Sequence, residues 1–385
     1  MPAAARVKQV ATLVAVRQAE LRKQYKRENR QMDAIRRAFF FVSKRILVWM
    51  IFAVLLFEVD LLADWPGLLG PTRNGHAESR NELPKAIEGS PKQIWKVEAG
   101  QGYAGPAIAG NDFVLFERVG DSDRVRLLNL ETGKEVWRRD LKAGYRGGID
   151  SDKGPRSVPA IIDNLVLVYS AAGDLTLLAR KDGAVLWTRP LRKEYQAEDG
   201  YFGAGSTPLV VSDQAIISIG GKSASVVCVS LANGKTLWVS SNAEASYASP
   251  ILIEPRKGSA VTKRIVVAPM KLKTLGLDLE TGKPLWEFPF GQRGPTVNAA
   301  TPVVTENGDL FLTSSYGIGS LLVRPTQSTA KIVQQGTDIS SQYSTPVVLG
   351  GRIFGSDGRE DGGEGTYKCL QASDGKLLWS QPNMP

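Results

Sequence analysis

Histidine and cysteine are nearly missing from this sequence, which has one histidine and two cysteines in 385 residues. The histidine, His76, lies in a polar stretch without metal-ligand spacing around it, so we expect a solvated side chain and no zinc site. Because His76 lies outside the repeats described below, a Ser-His-Asp triad is also excluded. Cys228 and Cys369 each open a copy of the repeat, which favours two buried thiols over a disulfide.

The body of the chain also lacks net charge, although the whole sequence carries +9. Residues 1–45 hold 12 Lys and Arg residues against three acids, whereas the chain from Asp64 onward has 36 basic and 34 acidic residues. The basic character therefore belongs to an N-terminal leader, residues 1–45. No basic stripe with interleaved aromatic residues occurs in the body, so we expect no nucleic-acid partner.

The apolar run ILVWMIFAVLLF at 46–57 is shorter than the roughly 20 residues of a transmembrane helix. Its length favours the h-region of a secretory signal with cleavage before Asp64, and Met32 is an alternative start that would shorten the leader. An uncleaved apolar helix, held by the basic leader on the inside, is the alternative. Residues 46–63 are therefore predicted to be a signal segment or a membrane anchor and the only membrane contact. Either role exports the body to the periplasm or to the outer face of the inner membrane.

A repeat organises the rest of the sequence. The stretch LDLETGKPLW at 277–286 recurs in variants that end on tryptophan, and one copy without tryptophan ends at Val333. A period of 40 to 50 residues indicates a propeller or a solenoid. Residues 64–91, rich in Gly, Pro and polar side chains, precede the repeats and are predicted to be a linker or strap.

Each repeat has a small residue or Thr before a proline, followed by four short apolar runs separated by turn signals. Proline fits the head of an edge strand because it cannot donate to a β-ladder. Glycine in the T/D/N-G-K turn supplies a positive φ, and the closing tryptophan offers a flat face and one N–H donor to the next blade. We therefore predict an all-β propeller of four-stranded antiparallel blades over residues 92–385, with six complete blades, after an N-terminal apolar helix. The predicted docking residues are Trp95, Gly133, Trp137, Gly183, Trp187, Gly234, Trp238, Gly282, Trp286, Gly375 and Trp379.

The pattern T-G-K-x-x-W resembles the tryptophan-docking motif of quinoprotein-type propellers with PQQ-like repeats. Leu127 to Trp137 carries it most fully, with Thr132, Gly133 and Lys134 in place, and Thr281 to Trp286 matches next best. The strap sequence DWPGLLGPTRNG is similar to the opening of exported PQQ-like propeller proteins of planctomycete-type bacteria. The resemblance implies an eight-bladed ring, of which about two blades are missing here.

Catalytic features of that family do not occur in this sequence. Its alcohol-oxidising members carry adjacent cysteines, a calcium site of Glu, Asn and Asp, and a catalytic Asp. The cysteines here are isolated, and the acidic loop at 356–365 lacks the alternate spacing of a calcium loop. We expect no catalytic residue, no metal and no bound cofactor, with pyrroloquinoline quinone the one cofactor that the resemblance suggests.

The loops before the prolines carry the candidate site. Equivalent loops of successive blades meet at one mouth of the channel, so we expect a broken aromatic ring there that binds a protein or glycan partner. The alternative, that each tyrosine packs on its neighbour or bonds a blade backbone, is favoured by the usual role of buried tyrosine. The residues are Tyr103, Arg146, Asp150, Asp152, Arg156, Tyr201, Tyr247, Asn298 and Tyr343.

Three functions remain open. The first is an exported, non-catalytic propeller that serves as a binding scaffold in cell-envelope assembly, since the repeat type resembles the propeller of the outer-membrane assembly machinery. The second is a PQQ-dependent alcohol dehydrogenase-like quinoprotein or a degenerate relative. The third is a membrane-tethered sensor, which requires residues 46–63 to remain attached.

Overall fold

The structure is a computed structural model that describes residues 64–77, 92–240, 243–294, 296–359 and 365–384. The leader, the segment 46–63 with its predicted apolar helix, and residues 78–91 of the strap lie outside the described residues. The described part contains twenty-four strands and one four-residue helix. None of its helices has the length and apolar character required to cross a bilayer.

The strands form six antiparallel sheets of four, each following the order of the chain. The prediction of an all-β propeller with six complete blades is confirmed. Blade 1 contains β1 (Ala107–Ala109), β2 (Asp112–Val119), β3 (Ser122–Asn129) and β4 (Glu135–Lys142). Blade 2 contains β5 (Ala160–Ile162), β6 (Leu165–Tyr169), β7 (Asp174–Ala179) and β8 (Val185–Pro190). Blade 3 contains β9 (Leu209–Val211), β10 (Gln214–Ser218), β11 (Val226–Ser230) and β12 (Thr236–Ser240).

The second half of the chain repeats this arrangement. Blade 4 contains β13 (Ile251–Ile253), β14 (Ile265–Pro269), β15 (Lys273–Asp278) and β16 (Pro284–Pro289). Blade 5 contains β17 (Val303–Val304), β18 (Leu310–Ser314), β19 (Gly319–Pro325) and β20 (Ala330–Gly336). Blade 6 contains β21 (Val347–Leu349), β22 (Arg352–Asp357), β23 (Gly365–Gln371) and β24 (Leu377–Met384). The short helix α1 (Leu191–Glu194) lies in the loop between blades 2 and 3.

The middle strands of a blade are buried on both faces because a neighbouring blade covers each face. Every residue of β11, β14 and β18 is buried, so their sequences are unbroken apolar or small-polar runs without alternation. The hydrophobic clusters are shared between neighbours, as where Leu175 of blade 2 packs with Ile217 and Val227 of blade 3. The core is therefore a series of layers between blades.

The two ends of the blades differ in their connections. Because neighbouring strands are antiparallel, the turns between first and second strands and between third and fourth strands share one end, the turn face. The loops between blades and the loops between second and third strands share the opposite end, the loop face. The T-G-K turns thus lie on the turn face, and the candidate site residues lie on the loop face.

Four of the predicted docking tryptophans contact the turn of the following blade. The indole N–H of Trp137 donates to the Arg180 carbonyl at 2.7 Å. A Cβ added at Gly183, whose φ is 66°, would lie 2.5 Å from the Trp137 ring, so no other residue fits beneath it. The same pairing recurs for Trp95 with Leu130 and Gly133, Trp187 with Leu231 and Gly234, and Trp238 with Leu279 and Gly282.

Blade 5 breaks this pattern because its turn T-Q-S-T has no glycine. The indole nitrogens of four other tryptophans bond the turn of the following blade, whereas that of Trp286 is buried and has no hydrogen-bond partner among the described residues. The assignment of Val333 to the tryptophan position is wrong by one residue. Gln334 pairs with Leu322 where the other blades place tryptophan, and its Oε1 lies 2.6 Å from a Cβ added at Gly375.

The last docking tryptophan, Trp379, is 42% exposed. Its ring lies 6.2 Å from Phe354 and 6.1 Å from Tyr367, both in its own blade. No glycine turn of another blade, among the residues described, lies against it. The eight-bladed ring stays a prediction.

Candidate functional site at the loop face

Four of the predicted site residues come together beside blade 1. The Tyr103 hydroxyl donates to Asp150 Oδ2 at 2.8 Å. The Arg156 guanidinium carbon lies 5.4 Å from the centre of the Tyr103 ring and 5.6 Å from that of Tyr145, which places the cation between two aromatic faces. Arg156 also donates to the Asp152 carbonyl at 2.6 Å. These five residues are called the Arg156 cluster.

The electrostatics of the Arg156 cluster follow from these contacts. The hydrogen bond to Asp150, followed by burial, raises the pKa of Tyr103. The backbone N–H of Asp152 and then the Tyr103 hydroxyl lower the pKa of Asp150. Tyr103 is nevertheless 65% exposed. The cluster therefore holds a neutral phenol and an ionised carboxylate rigidly at the surface.

Tyr201 and Tyr247 form a second contact, in which a side-chain hydroxyl bonds backbone N–H groups. The Tyr247 hydroxyl accepts the N–H groups of Tyr201 and Phe202, both at 3.0 Å. The Phe202 and Tyr247 rings meet edge to face with centroids 5.6 Å apart. Tyr247, which is half-buried, therefore anchors the loop between blades 2 and 3, the backbone role that the structural alternative describes.

The remaining predicted residues are separate from the Arg156 cluster. Asn298 is buried, and its amide joins the Lys271 carbonyl at 3.0 Å and the Ser314 hydroxyl at 2.7 Å. Tyr343 is 43% exposed, and its hydroxyl receives the side-chain N–H of Gln342 at 3.1 Å. Arg146 is exposed and has no side-chain hydrogen bond to the residues described. The loop face thus carries discrete clusters rather than one aromatic ring.

The strap lies inside the ring, which its sequence does not indicate. The N–H and carbonyl of Trp65 both pair with Ile108 of β1 at 2.8 Å. The Pro66 carbonyl accepts the Ile161 N–H of β5 at 2.8 Å, and Asp64 Oδ1 accepts the Gly110 N–H at 2.7 Å. Since the Trp65 bridge is antiparallel to β1, the strap runs from the turn face toward the loop face.

Further along, the strap contacts the first strands of blades 3 and 6. The Arg73 guanidinium donates to the Pro208 carbonyl at 2.7 Å and to the Thr207 carbonyl at 2.9 Å. A Cβ added at Gly75 would lie 3.1 Å from Val347 Cγ2. Residues 64–77 therefore occupy the channel against blades 1, 2, 3 and 6.

A belt of hydroxyl groups links successive blades beside the strap. The Thr207 hydroxyl accepts the Val158 N–H at 3.0 Å, and the Ser249 hydroxyl accepts the Thr207 N–H at 2.9 Å. The Thr301 and Thr345 hydroxyls continue the series at 3.3 and 3.0 Å. In blades 3 to 6 the Thr or Ser before the proline therefore satisfies a backbone donor of the preceding blade, and the T/S-P pair that recurs in these four blades is the sequence signal that marks it.

Candidates for reactive chemistry are isolated from one another. Cys228 on β11 and Cys369 on β23 are buried free thiols, and burial raises the pKa of Cys228 to about 12. The prediction of a solvated His76 is wrong for its Nε2, which is buried without a hydrogen-bond partner among the described residues, while the residue as a whole is half-buried. No group of three metal-ligating side chains occurs in the part of the chain that the structure describes.

Known proteins resemble this chain in sequence over most of its length. Residues 85–257 and 121–381 match the family model PQQ_2, described as outer membrane protein assembly factor BamB. The chain belongs to this family. It is 22% identical over 341 residues to the outer membrane protein assembly factor BamB of Burkholderia pseudomallei (strain K96243), covering 76% of this chain and 82% of that relative. The BamB of Yersinia pestis is 25% identical over 173 residues, 44% of this chain and 40% of that relative.

Solved structures of a BamB and of an alcohol dehydrogenase show the same fold. BamB from Moraxella catarrhalis aligns with a TM-score of 0.50 at 19% identity, over 72% of each chain. The quinohemoprotein alcohol dehydrogenase from Comamonas testosteroni aligns with a TM-score of 0.54 at 14% identity, over 72% of this chain and 59% of that one. At these identities the likeness concerns the fold alone, so function must be argued from the residues.

Proposed function

We propose that this chain is an exported, non-catalytic propeller that binds a protein partner at its loop face during cell-envelope assembly. The observation that carries the proposal is the family match over residues 85–381, together with relatives named as outer membrane protein assembly factors. The predicted signal segment at 46–63 supports export. N-terminal sequencing of the exported chain separates a cleaved form that begins at Asp64 from a tethered one.

The Arg156 cluster supports a protein partner at the loop face. Tyrosine and arginine dominate binding energy at protein interfaces because they combine large contact area with directional hydrogen bonds. Tyr103 offers an exposed ring whose hydroxyl and one face are already fixed by Asp150 and Arg156. Because the Tyr103 ring is already held in place, little side-chain entropy is lost when a partner covers it, which favours binding.

The residues of the channel do not fit a quinone enzyme. The strap lies against the first strands of blades 1, 2, 3 and 6, so it takes up space in the channel that a bound quinone would need. Cys228 and Cys369 lie in different blades, so they cannot act as an adjacent pair. Adding pyrroloquinoline quinone and calcium to the purified chain should therefore give no alcohol-dependent dye reduction, and such activity would overturn the non-catalytic part of the proposal.

Genetic complementation tests the role in envelope assembly. Deleting the gene should lower the amount of folded outer-membrane β-barrel protein, and the wild-type chain should restore it. Tyr103→Ala should restore it poorly, because truncating an interface tyrosine costs about 2 kcal/mol or more of binding free energy. Glu280→Ala, an exposed change in a turn-face T-G-K turn, is the matched control and should restore it fully. Unchanged barrel levels after deletion would contradict the proposal.

A further inference from the structure

Arg73 brings a positive charge into the channel without a carboxylate to balance it. Two Nη atoms of its guanidinium donate to the carbonyls of Pro208 and Thr207 at 2.7 and 2.9 Å. Neither partner carries charge, and no acidic side chain of the described residues forms an ion pair with it. Arg73 is half-buried and its Nε is buried, and a cation partly removed from water without a counter-charge is costly.

The geometry of the guanidinium leaves one edge unused. The two carbonyls occupy the end formed by both Nη atoms, while Nε is buried and has no acceptor among the residues that the structure describes. The side edge formed by Nε and the neighbouring Nη is therefore available. Two parallel N–H donors at that edge match the two oxygens of a carboxylate or a phosphate.

Two buried hydroxyl groups next to the same backbone also lack partners. Ser206 precedes Thr207, whose carbonyl receives the Arg73 side chain, and Ser157 precedes Val158, whose N–H bonds the Thr207 hydroxyl. Ser157 is 0% exposed and Ser206 is 2% exposed, and neither hydroxyl has a hydrogen-bond partner in the described part of the chain. Buried polar groups are normally satisfied, so an unsatisfied guanidinium nitrogen, together with two unsatisfied hydroxyls on residues next to Thr207 and to its partner Val158, points to a missing ligand. Each hydroxyl can donate to an anionic oxygen.

The strap holds Arg73 in a strained conformation. Arg73 and Leu69 have positive φ values of 57° and 60°, which non-glycine residues adopt rarely. The N–H of Gly75 closes the turn on the Leu69 carbonyl at 2.9 Å. Strain of this kind persists only where the surrounding structure fixes it, and it is common at binding sites.

We propose that Arg73, with the hydroxyls of Ser157 and Ser206, binds a small oxyanion, a carboxylate or a phosphate, in the centre of the ring. Burial lowers the pKa of Arg73 to about 9 and nothing offsets it, so at neutral pH the group is charged and unneutralised. A bound water would accept from Nε but would leave that charge uncompensated. An oxyanion satisfies the donors and the charge together.

The test measures stabilisation of the full chain by anions. Acetate and phosphate are titrated against chloride at constant ionic strength, and the melting temperature is followed with calorimetric binding as a second readout. A ligand that binds only the folded chain raises the melting temperature in a saturable way. We expect this rise with acetate, phosphate or both, and the stronger of the two identifies the class of oxyanion.

Two variants and two matched controls locate the site. Arg73→Gln should abolish the saturable rise, and Ser206→Ala should weaken anion affinity about tenfold, the value of one hydrogen bond to a charged group. Arg256→Gln removes another arginine that bonds two neighbouring carbonyls, and Ser240→Ala removes another partnerless buried hydroxyl, on the outer strand β12. Both controls should keep the wild-type response.

Ser206→Ala keeps the test decisive if Arg73→Gln does not fold. Its hydroxyl makes no hydrogen bond, so its loss should leave the melting temperature without anion unchanged or slightly raised. No saturable rise in the wild type with either anion would overturn the proposal. An equal rise in wild type, Arg73→Gln and Ser206→Ala would overturn it as well, because the anion would then bind elsewhere.

Discussion

Two tryptophans in adjacent blades allow the docking hydrogen bond to be measured separately from packing. Trp238 and Trp286 close blades 3 and 4 at the same register and are 8% and 7% exposed. The indole N–H of Trp238 donates to the Leu279 carbonyl at 2.8 Å, whereas that of Trp286 is buried without an acceptor. Replacing either tryptophan with phenylalanine removes a similar apolar area. Only Trp238→Phe also removes a hydrogen bond.

The expected magnitudes differ for a physical reason. Trp238→Phe leaves the Leu279 carbonyl without its donor, which adds about 1–3 kcal/mol to the cost of the smaller ring. Trp286→Phe removes an indole N–H that is already unsatisfied, so no acceptor is left without its donor. Removing that unsatisfied donor also removes its desolvation cost, which offsets part of the loss of packing. We therefore expect Trp238→Phe to destabilise the chain by about 1–3 kcal/mol more than Trp286→Phe.

Urea and thermal unfolding of the two variants beside the wild type provide the assay. A lower urea midpoint at an unchanged slope reports a change of stability rather than of compactness. The order should be wild type, then Trp286→Phe, then Trp238→Phe. Equal losses, or a larger loss for Trp286→Phe, would refute the assignment of the indole hydrogen bond as a stabilising clasp between blades.

Three further changes probe other contacts. Gly282→Ala should destabilise the chain by about 1–3 kcal/mol more than Gly120→Ala in urea unfolding. Both glycines have positive φ, but only a Cβ at Gly282 meets the Trp238 ring, at 2.3 Å. Equal losses of stability would contradict docking of Trp238 on Gly282. Ser249→Ala should lower the free energy of unfolding by about 1–3 kcal/mol and speed hydrogen exchange at the Thr207 amide. Ser240→Ala should do neither, because the Ser240 hydroxyl has no partner among the described residues. Unchanged exchange at Thr207 in Ser249→Ala would contradict the belt of hydroxyl groups. The raised pKa of Tyr103 predicts that its phenol ionises above the ordinary value of 10, so its bond to Asp150 persists below that pH and is lost as pH rises through the folded-state pKa. Ultraviolet titration of wild type and Asp150→Ala checks this, and identical titrations would contradict it.

The blade architecture could be predicted because its signals are local and repeated. A turn glycine and a tryptophan a few residues later recur in one register, and each apolar run is as long as one strand. The position of Gln334 could not be predicted in this way. Leu322 and its strand partner Gln334 are separated by two more residues of sequence than Leu127 and its partner Trp137. A missing motif residue leaves the alignment without an anchor.

The candidate site was only partly predictable because it depends on contacts between distant segments. The offset from proline placed Tyr103 and Tyr247 on the same face, but it could not separate an exposed ring from one whose hydroxyl bonds the backbone. Tyr145 begins the loop that contains Arg156, and only its contact with that cation gives it a role in the cluster. Arg73 and His76 read as parts of a polar linker, since local composition does not reveal that the strap enters the channel.

Site-specific photo-crosslinking in cells tests the central claim most directly, with the crosslinker placed at Tyr103 on the loop face or at Glu280 on the turn face. Both residues are exposed, so the two positions are equally accessible to an unspecific neighbour. Partner binding at the loop face predicts a crosslink from Tyr103 to a component of the outer-membrane assembly machinery and none from Glu280. Crosslinks of equal yield from both positions, or none from Tyr103 in cells that fold their outer-membrane proteins normally, would contradict it.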